Sequence, residues 1–358
     1  MRAFRDTALS YCYTRVLPLV KKHPLARVDL SSGDGAPIAA VCDEMTWQNL
    51  RREWPVALLY PRRWRELIEK HPPALFFCEA AWQPPWRGRV YKDKRVLYEN
   101  RRELLAILDY CKAKNIPTAF WAKEDPAYFE HKIYDFTDTA LRYDHVLTTA
   151  IECVDRYKAL GHESVNLWPF GYSDKLFFPP GVGGSGNIAE REEVAVFAGS
   201  WFADHPKRCE DMAALFELVI NHGIPLCIYD RHRKSGRSTK PFPRKYRPFV
   251  RDAVPYEELG EVYRKAKYVL NVNTVSDSGT MFARRVYEAM ACGCTIISND
   301  SRAMRAQFGD NVWYIGESFD FSKANDVEYD DISAVLREHS NGERVKRLWA
   351  IVHSSGRP

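Results

Sequence analysis

Apolar residues in the first half of this chain fall into short runs bounded by charged or turn-forming residues, and between the runs they recur at helical spacing. The runs at 38–42 (IAAVC), 56–61 (VALLYP), 74–79 (ALFFCE), 117–122 (PTAFWA), 144–149 (DHVLTT) and 164–170 (SVNLWPF) predict strands. Stretches 47–54, 62–71, 99–115 and 151–161 predict the helices between them. The first 37 residues are patterned as helix until a Ser31-Ser32-Gly33-Asp34-Gly35 break, after which the sheet starts. Strands alternating with helices of this length predict an α/β fold with a parallel sheet and right-handed crossovers.

The clearest change of pattern is 177–193 (FFPPGVGGSGNIAEREE), where Pro, Gly and Ser give way to charge. It predicts a linker between two domains, 1–178 and 179–358. Beyond it, 194–199 (VAVFAG), 224–230 (IPLCIYD), 269–274 (VLNVNT), 295–298 (TIIS) and 311–316 (NVWYIG) read as strands of a second sheet. Helices are expected from Lys207 to about Asn221, over 256–268, from about Phe282 to Ala291, and near 331–352 at the close.

Ligands gather at the carboxyl ends of strands in such sheets, so the residues just after each strand carry the candidate chemistry. In the first domain these are Asp43-Glu44, then Glu79 followed by Ala80-Ala81-Trp82, then Lys123-Glu124-Asp125-Pro126. Three strands thus bring acidic groups to one rim, although Asp125 before Pro126 reads equally well as a helix cap. The loop 80–94, with Trp82, Trp86, Arg87 and Arg89, is aromatic and basic and reads as a binding platform or as a packed loop. In the second domain a Gly199-Ser200 turn precedes Lys207 and Arg208, and a Ser278-Gly279-Thr280 turn precedes a helix carrying Arg285 and Glu288. A helix opening at that turn would aim unpaired N–H groups at an anion such as a diphosphate, with Arg285 adding charge. Glu288, one turn further on, would accept hydrogen bonds from two vicinal hydroxyls, as gripping a ribose requires.

Composition narrows the class without changing this picture. The chain has 358 residues, 46% of them apolar, which is ample for two cores, and no apolar run approaches the length of a membrane span. Nine Cys, without CxxC spacing, read as reduced core residues of a cytosolic protein. The net charge of +5 does not by itself indicate nucleic acid, yet Arg231 to Arg251 holds nine Lys or Arg and no acid. That run, broken by prolines, reads as a solvated loop or as a contact for an anionic surface. P-loop, dinucleotide, esterase and zincin motifs are absent, and His131, His145, His162 and His205 lack metal-ligand spacing.

The stretch Thr280-Met281-Phe282-Ala283 followed by Glu288 resembles the donor-site signature of GT-B glycosyltransferases of the group 1 type, with the first of that family's two Glu replaced by Thr280. Arg285 three residues before Glu288, the Glu79 to Trp82 run and the Lys123 to Pro126 run are similar to the CgeB-like (spore maturation) branch. The resemblance implies the GT-B fold, two Rossmann-like domains facing each other across a cleft, and a metal-independent hexosyltransferase without a permanently bound cofactor. A nucleoside diphosphate sugar, a UDP-sugar foremost, would be the co-substrate. Gly199, Ser200, Lys207, Arg208, Ser278, Gly279, Thr280, Arg285 and Glu288 would bind it, and Trp82 and Lys123 would bind a glycan or lipid-linked acceptor. Glu79, Glu124 or Asp125 would be the base of an inverting reaction. In a retaining reaction, the course preferred here, the departing phosphate takes the proton instead. The protein would be cytoplasmic, or peripheral at the inner face of the membrane.

Two other readings follow from the same residues. The run 231–251 suits a glycosyltransferase acting on DNA, whose duplex binding would fall steeply with salt. Thr280 in place of the first Glu suits a catalytically inactive protein that binds sugar nucleotides or carbohydrate.

Overall fold

The computed structural model of the protein describes residues 27–60, 63–80, 102–131, 135–181, 191–233, 241–318, 321 and 329–354. The helical pattern expected before residue 27, the loop 81–94 with Trp82, most of the Gly-rich stretch 177–193, and 234–240 of the basic run lie outside these residues. The chain divides into two compact units, one comprising Met1–Pro169 with Arg344–Pro358 and the other Phe170–Glu343.

The first unit is built on a seven-stranded sheet ordered β1-β3-β2-β4-β5-β6-β7. Its strands are β1 (Arg27–Asp29), β2 (Ile38–Val41), β3 (Val56–Leu58), β4 (Leu75–Glu79), β5 (Thr118–Ala122), β6 (His145–Thr148) and β7 (Val165–Leu167). All pair in parallel except β1, which runs antiparallel along β3. Strand β1 lies where helical patterning is expected from the sequence. It is a three-residue edge whose ends are tied by Arg51 on Asp29 at 2.7 Å and Arg27 on Glu44 at 2.5 Å. Every residue of β2 to β6 is buried, which is why these strands read as unbroken apolar runs: helices cover both faces of a parallel sheet. Trp349, on the helix Asn341–Ser354, packs on Trp54 with ring centres 4.8 Å apart, and the Arg344 guanidinium lies 3.9 Å above the Trp168 ring.

The second unit carries a six-stranded, all-parallel sheet ordered β10-β9-β8-β11-β12-β13. Its strands are β8 (Glu192–Gly199), β9 (Leu226–Asp230), β10 (Val250–Asp252), β11 (Ala266–Asn271), β12 (Thr295–Ser298) and β13 (Val312–Tyr314). Successive residues serve opposite faces. Val196, Val269 and Ile296 join the core formed with Ala289, Met290 and Met304, while Phe197, Tyr268, Leu270 and Ile297 join that formed with Met212, Leu215 and Phe216. Gly260 is fixed by crowding, because a Cβ there would stand 2.2 Å from the Leu176 carbonyl oxygen. The single closing helix expected near 331–352 is two helices, Tyr329–Glu338 and Asn341–Ser354, separated where Tyr172 pairs with Ser340.

Register brings the strand ends of each sheet together. In the first, Glu79 lies beside Trp121, and Ala122 beside Thr148. Beyond that edge Asp125 is buried, accepts a 2.7 Å hydrogen bond from the Thr148 hydroxyl, and has the Tyr157 hydroxyl alongside. No helix starts at Asp125, so the capping role open to it in the sequence is not the one it has. Burial pushes its pKa up to about 7, against the opposing influence of Thr148, Tyr157 and Arg156. The native protein therefore keeps a proton that the unfolded chain releases from about pH 4 upward, and the resulting stabilisation is lost as pH rises toward 7. Asp125→Asn removes that titration. Denaturant unfolding of both proteins from pH 4 to 8 should show wild type losing up to about 1.4 kcal/mol per pH unit relative to the variant inside this window.

Candidate functional site

At the carboxyl edge of the second sheet, β8 ends in Gly199 and β11 in Asn271. The Arg285 guanidinium spans both ends. It donates to the Ala198 carbonyl, to the Leu270 carbonyl at 3.5 Å and to Asn271 Oδ1 at 3.4 Å, and it lies 4.8 Å above the Phe197 ring. Gly199 makes room for it: a Cβ there would come within 3.2 Å of Arg285 Nη2 and 2.8 Å of Phe197. Arg208, on the helix Pro206–Asn221, is nearly buried, donates to the Ser200 carbonyl at 3.0 Å and faces the Phe202 ring. Burial, then the positive charges of Arg285 and Arg231, push its pKa down to about 10, so it remains charged at neutral pH. Among the described residues the buried Ser200 hydroxyl has no hydrogen-bond partner. Lys207 does not share this environment: it faces solvent and pairs with Asp211 at 2.6 Å, because adjacent helical positions point in different directions.

Glu288 lies under this group of cations. It is 3% exposed, and its Oε1 accepts a 2.6 Å hydrogen bond from the Tyr256 hydroxyl. Burial raises its pKa, opposed by Arg284, the Tyr256 bond, Arg285 and Arg231. The helix that bears it begins later than the sequence pattern predicts, at Arg285 rather than near Phe282. Local bonds hold the intervening chain off the helical path: Ser278 Oγ accepts from the Thr280 and Met281 amides at 3.4 and 3.1 Å, and Asn273 Oδ1 accepts from the Ala283 amide at 2.9 Å. The Ser278-Gly279-Thr280 turn is thus separated from the helix, and part of its N–H complement is turned inward. The expected helix start directly behind that turn is replaced by a clamped loop.

In the first unit the acidic groups at the sheet edge are tied to one another. Glu79 is buried and uses both oxygens, Oε1 accepting from the Asp43 amide at 2.5 Å and from Lys123 Nζ at 2.9 Å, Oε2 from the Thr46 hydroxyl at 2.6 Å. Lys123, itself buried, also bonds Asp43 Oδ2 at 2.5 Å, and Asp43 Oδ1 caps the next helix at the Thr46 amide. Burial and the Asp43 charge raise the Glu79 pKa, while Lys123 and Thr46 hold it down. Glu124 is half-buried. Trp82 lies outside the described residues. In the basic run, Phe242 and Tyr246 are core residues, whereas Arg244, Lys245, Arg247 and Arg251 are exposed, Lys245 paired with Glu217 at 2.7 Å.

Tyr256, Arg231, Arg284, Asn273 and Thr46 belong to these constellations and are not singled out as site residues by the sequence. Of these, Arg231 carried a local signal in standing immediately after β9, and Arg284 in preceding Glu288 by four residues, which puts the two on one helical face. Among the described residues no group of three His, Cys, Asp or Glu is placed to hold a metal ion, and no helix is long and apolar enough to cross a membrane.

Residues 234–350 match a family model described as glycosyl transferase-like. No match was found among curated proteins. Among solved structures the chain is similar to a glycosyltransferase from Rickettsia africae ESF-5, with 8% identity over 90% of this chain and 91% of that one and a TM-score of 0.52. It is also similar to Anabaena Alr3699/HepE in complex with UDP and glucose, with 12% identity over 90% of each chain and a TM-score of 0.51. Against a chain of the GtfA/B complex the TM-score is 0.41 at 14% identity; 72% of this chain is covered, and it spans 56% of the other's length. With two parallel-sheet, Rossmann-like units and the Rickettsia and Anabaena structures as neighbours, the chain has the fold of the GT-B glycosyltransferases.

Proposed function

We propose that this protein transfers a sugar from a nucleoside diphosphate sugar, a UDP-sugar foremost, to a glycan or lipid-linked acceptor. In this reading the second unit binds the donor and the first binds the acceptor. The observation that carries it is the group Arg208, Arg231, Arg284 and Arg285 near the buried carboxylate Glu288, at the carboxyl edge of a parallel sheet. The excess positive charge suits a diphosphate and the buried carboxylate suits a ribose. The UDP and glucose held by the Anabaena structure of the same fold support the choice of donor.

As the anomeric C–O bond breaks, negative charge grows on the diphosphate and positive charge on the sugar. Arg208 and Arg285, already fixed on the Ser200 and Ala198 carbonyls, would meet that charge without reorganising. Glu79 and Asp125 are buried, whereas Glu124 is half-buried and is the most accessible of the three base candidates. The same burial favours a retaining course, in which the departing phosphate oxygen accepts the acceptor's proton. Glu79 and Lys123 then act by fixing the ends of β2, β4 and β5. Arg244, Arg247 and Arg251, exposed on the second unit, would give it a contact for an anionic surface apart from the acceptor site.

A thermal-shift panel of nucleoside diphosphates and their sugars tests the reading directly. A ligand at a hundred times its dissociation constant should stabilise the protein by about 2.7 kcal/mol, and no response to any member would overturn it. Glu288→Gln should weaken nucleotide binding by roughly tenfold or more in calorimetry while the melting temperature of the free protein is kept, since a charge-assisted acceptor is lost. Arg208→Ala should lower turnover more than donor affinity, because its charge counts most when the diphosphate is leaving. Glu79→Gln should cost about 1–3 kcal/mol in denaturant unfolding through the Lys123 and Thr46 bonds, with the surviving folded enzyme still able to transfer. Complete loss of transfer at unchanged stability would make Glu79 the base instead.

A further inference from the structure

The two oxygens of Glu288 are not equivalent. Oε1 accepts the Tyr256 hydroxyl at 2.6 Å, whereas Oε2 takes no hydrogen bond among the described residues. Tyr256 is placed from outside the site. It opens the 3-10 turn Tyr256–Glu258 directly after Pro255, and its ring packs edge-on against buried Phe177, with centres 5.6 Å apart. Phe177 is backed in turn by Tyr263 at 6.2 Å. The hydroxyl therefore approaches Glu288 along a direction set by the core. The other groups that act on the carboxylate are Arg284 and Arg285 from its own helix, Arg231 from the end of β9, and the buried Tyr263.

A free carboxylate can take two vicinal hydroxyls, one on each oxygen. Here Oε1 already accepts one bond and keeps a single lone pair for another, while Oε2 keeps both of its own, and the Tyr256 donor also fixes the plane of the carboxylate. Resting on the donor-site reading above, we propose that Tyr256 is a positioning residue that makes Glu288 read one ribose hydroxyl of the bound nucleotide strongly and its neighbour weakly. Its phenol holds Oε1, and Oε2 is left to receive the favoured hydroxyl. The specificity of the site for the sugar of the nucleotide is then set jointly by Tyr256 and Glu288.

Calorimetry with UDP, 2′-deoxy-UDP and 3′-deoxy-UDP tests this on the wild-type protein. One deoxy analogue should bind at least about tenfold more weakly than UDP, as expected when a bond to a charged acceptor is lost, and the other within about threefold. Tyr256→Phe keeps the ring against Phe177 and removes only the hydroxyl, so it should bring the two deoxy analogues to within about twofold of each other. Losing that donor also raises the Glu288 pKa, so nucleotide binding by Tyr256→Phe should fall away at higher pH than in wild type. In a Glu288→Gln background the same change should shift neither the ratio nor the pH profile. Equal losses for both analogues in wild type, or an unchanged ratio and pH profile in Tyr256→Phe, would overturn the inference. The first of these needs no variant to fold. Failure of UDP itself to bind would instead overturn the donor-site reading beneath it.

Discussion

A parallel sheet ends in carbonyl groups whose strands have turned away, and something must meet them if that edge is to be a binding surface rather than a frayed one. In the second unit the Arg285 guanidinium does so, bridging the Ala198 and Leu270 carbonyls across β8 and β11. Much of the neighbourhood follows from it. Gly199 has no side chain because the guanidinium passes there, Phe197 supplies the ring beneath it, and its charge is felt by Arg208 and Glu288. A planar, permanently charged fork suits this position, since it can hold two carbonyls and still project positive charge outward.

The first unit solves the same problem with a different cation. Lys123 is a compact charge, and it closes the ends of β2, β4 and β5 through the carboxylates of Asp43 and Glu79 rather than through carbonyls. A buried ammonium between two carboxylates is costly to desolvate, and it persists because nearly every lone pair around it is used: the Asp43 amide, the Thr46 hydroxyl and the helix cap complete the set. The two edges therefore differ in kind. One is a hydrogen-bonded network of a single cation between two carboxylates, the other a cluster of arginines near Glu288.

Much of this architecture was legible in the sequence, because fully buried strands such as β4 and β5 leave unbroken apolar runs and the helices between them keep their own period. What was not legible is long-range hydrogen bonding. Glu79 reads as a carboxylate at a strand end, and nothing local announces that Thr46 and Lys123 will take up its oxygens. Tyr256 reads as one aromatic among many until the fold brings it to Glu288. The start of the helix at Arg285 was missed for a similar reason: the competing acceptors are Ser278, close by, and Asn273, on the far side of the loop. Lys207 and Arg208 look alike as neighbours in sequence, and only the helix phase separates the exposed one from the buried one.

The two units also differ in how the chain makes them. The second is a continuous stretch, Phe170–Glu343, but the first is completed by residues from Arg344 onward, including the Trp349 ring on Trp54 and the Arg344 guanidinium on Trp168. During vectorial synthesis the seven strands of the first sheet are all made before these last contacts exist. The contacts of Trp349 with Trp54 and of Arg344 with Trp168 can therefore form only after the whole of the second unit has been synthesised. The first unit is in this way closed by residues that are synthesised after every residue of the second.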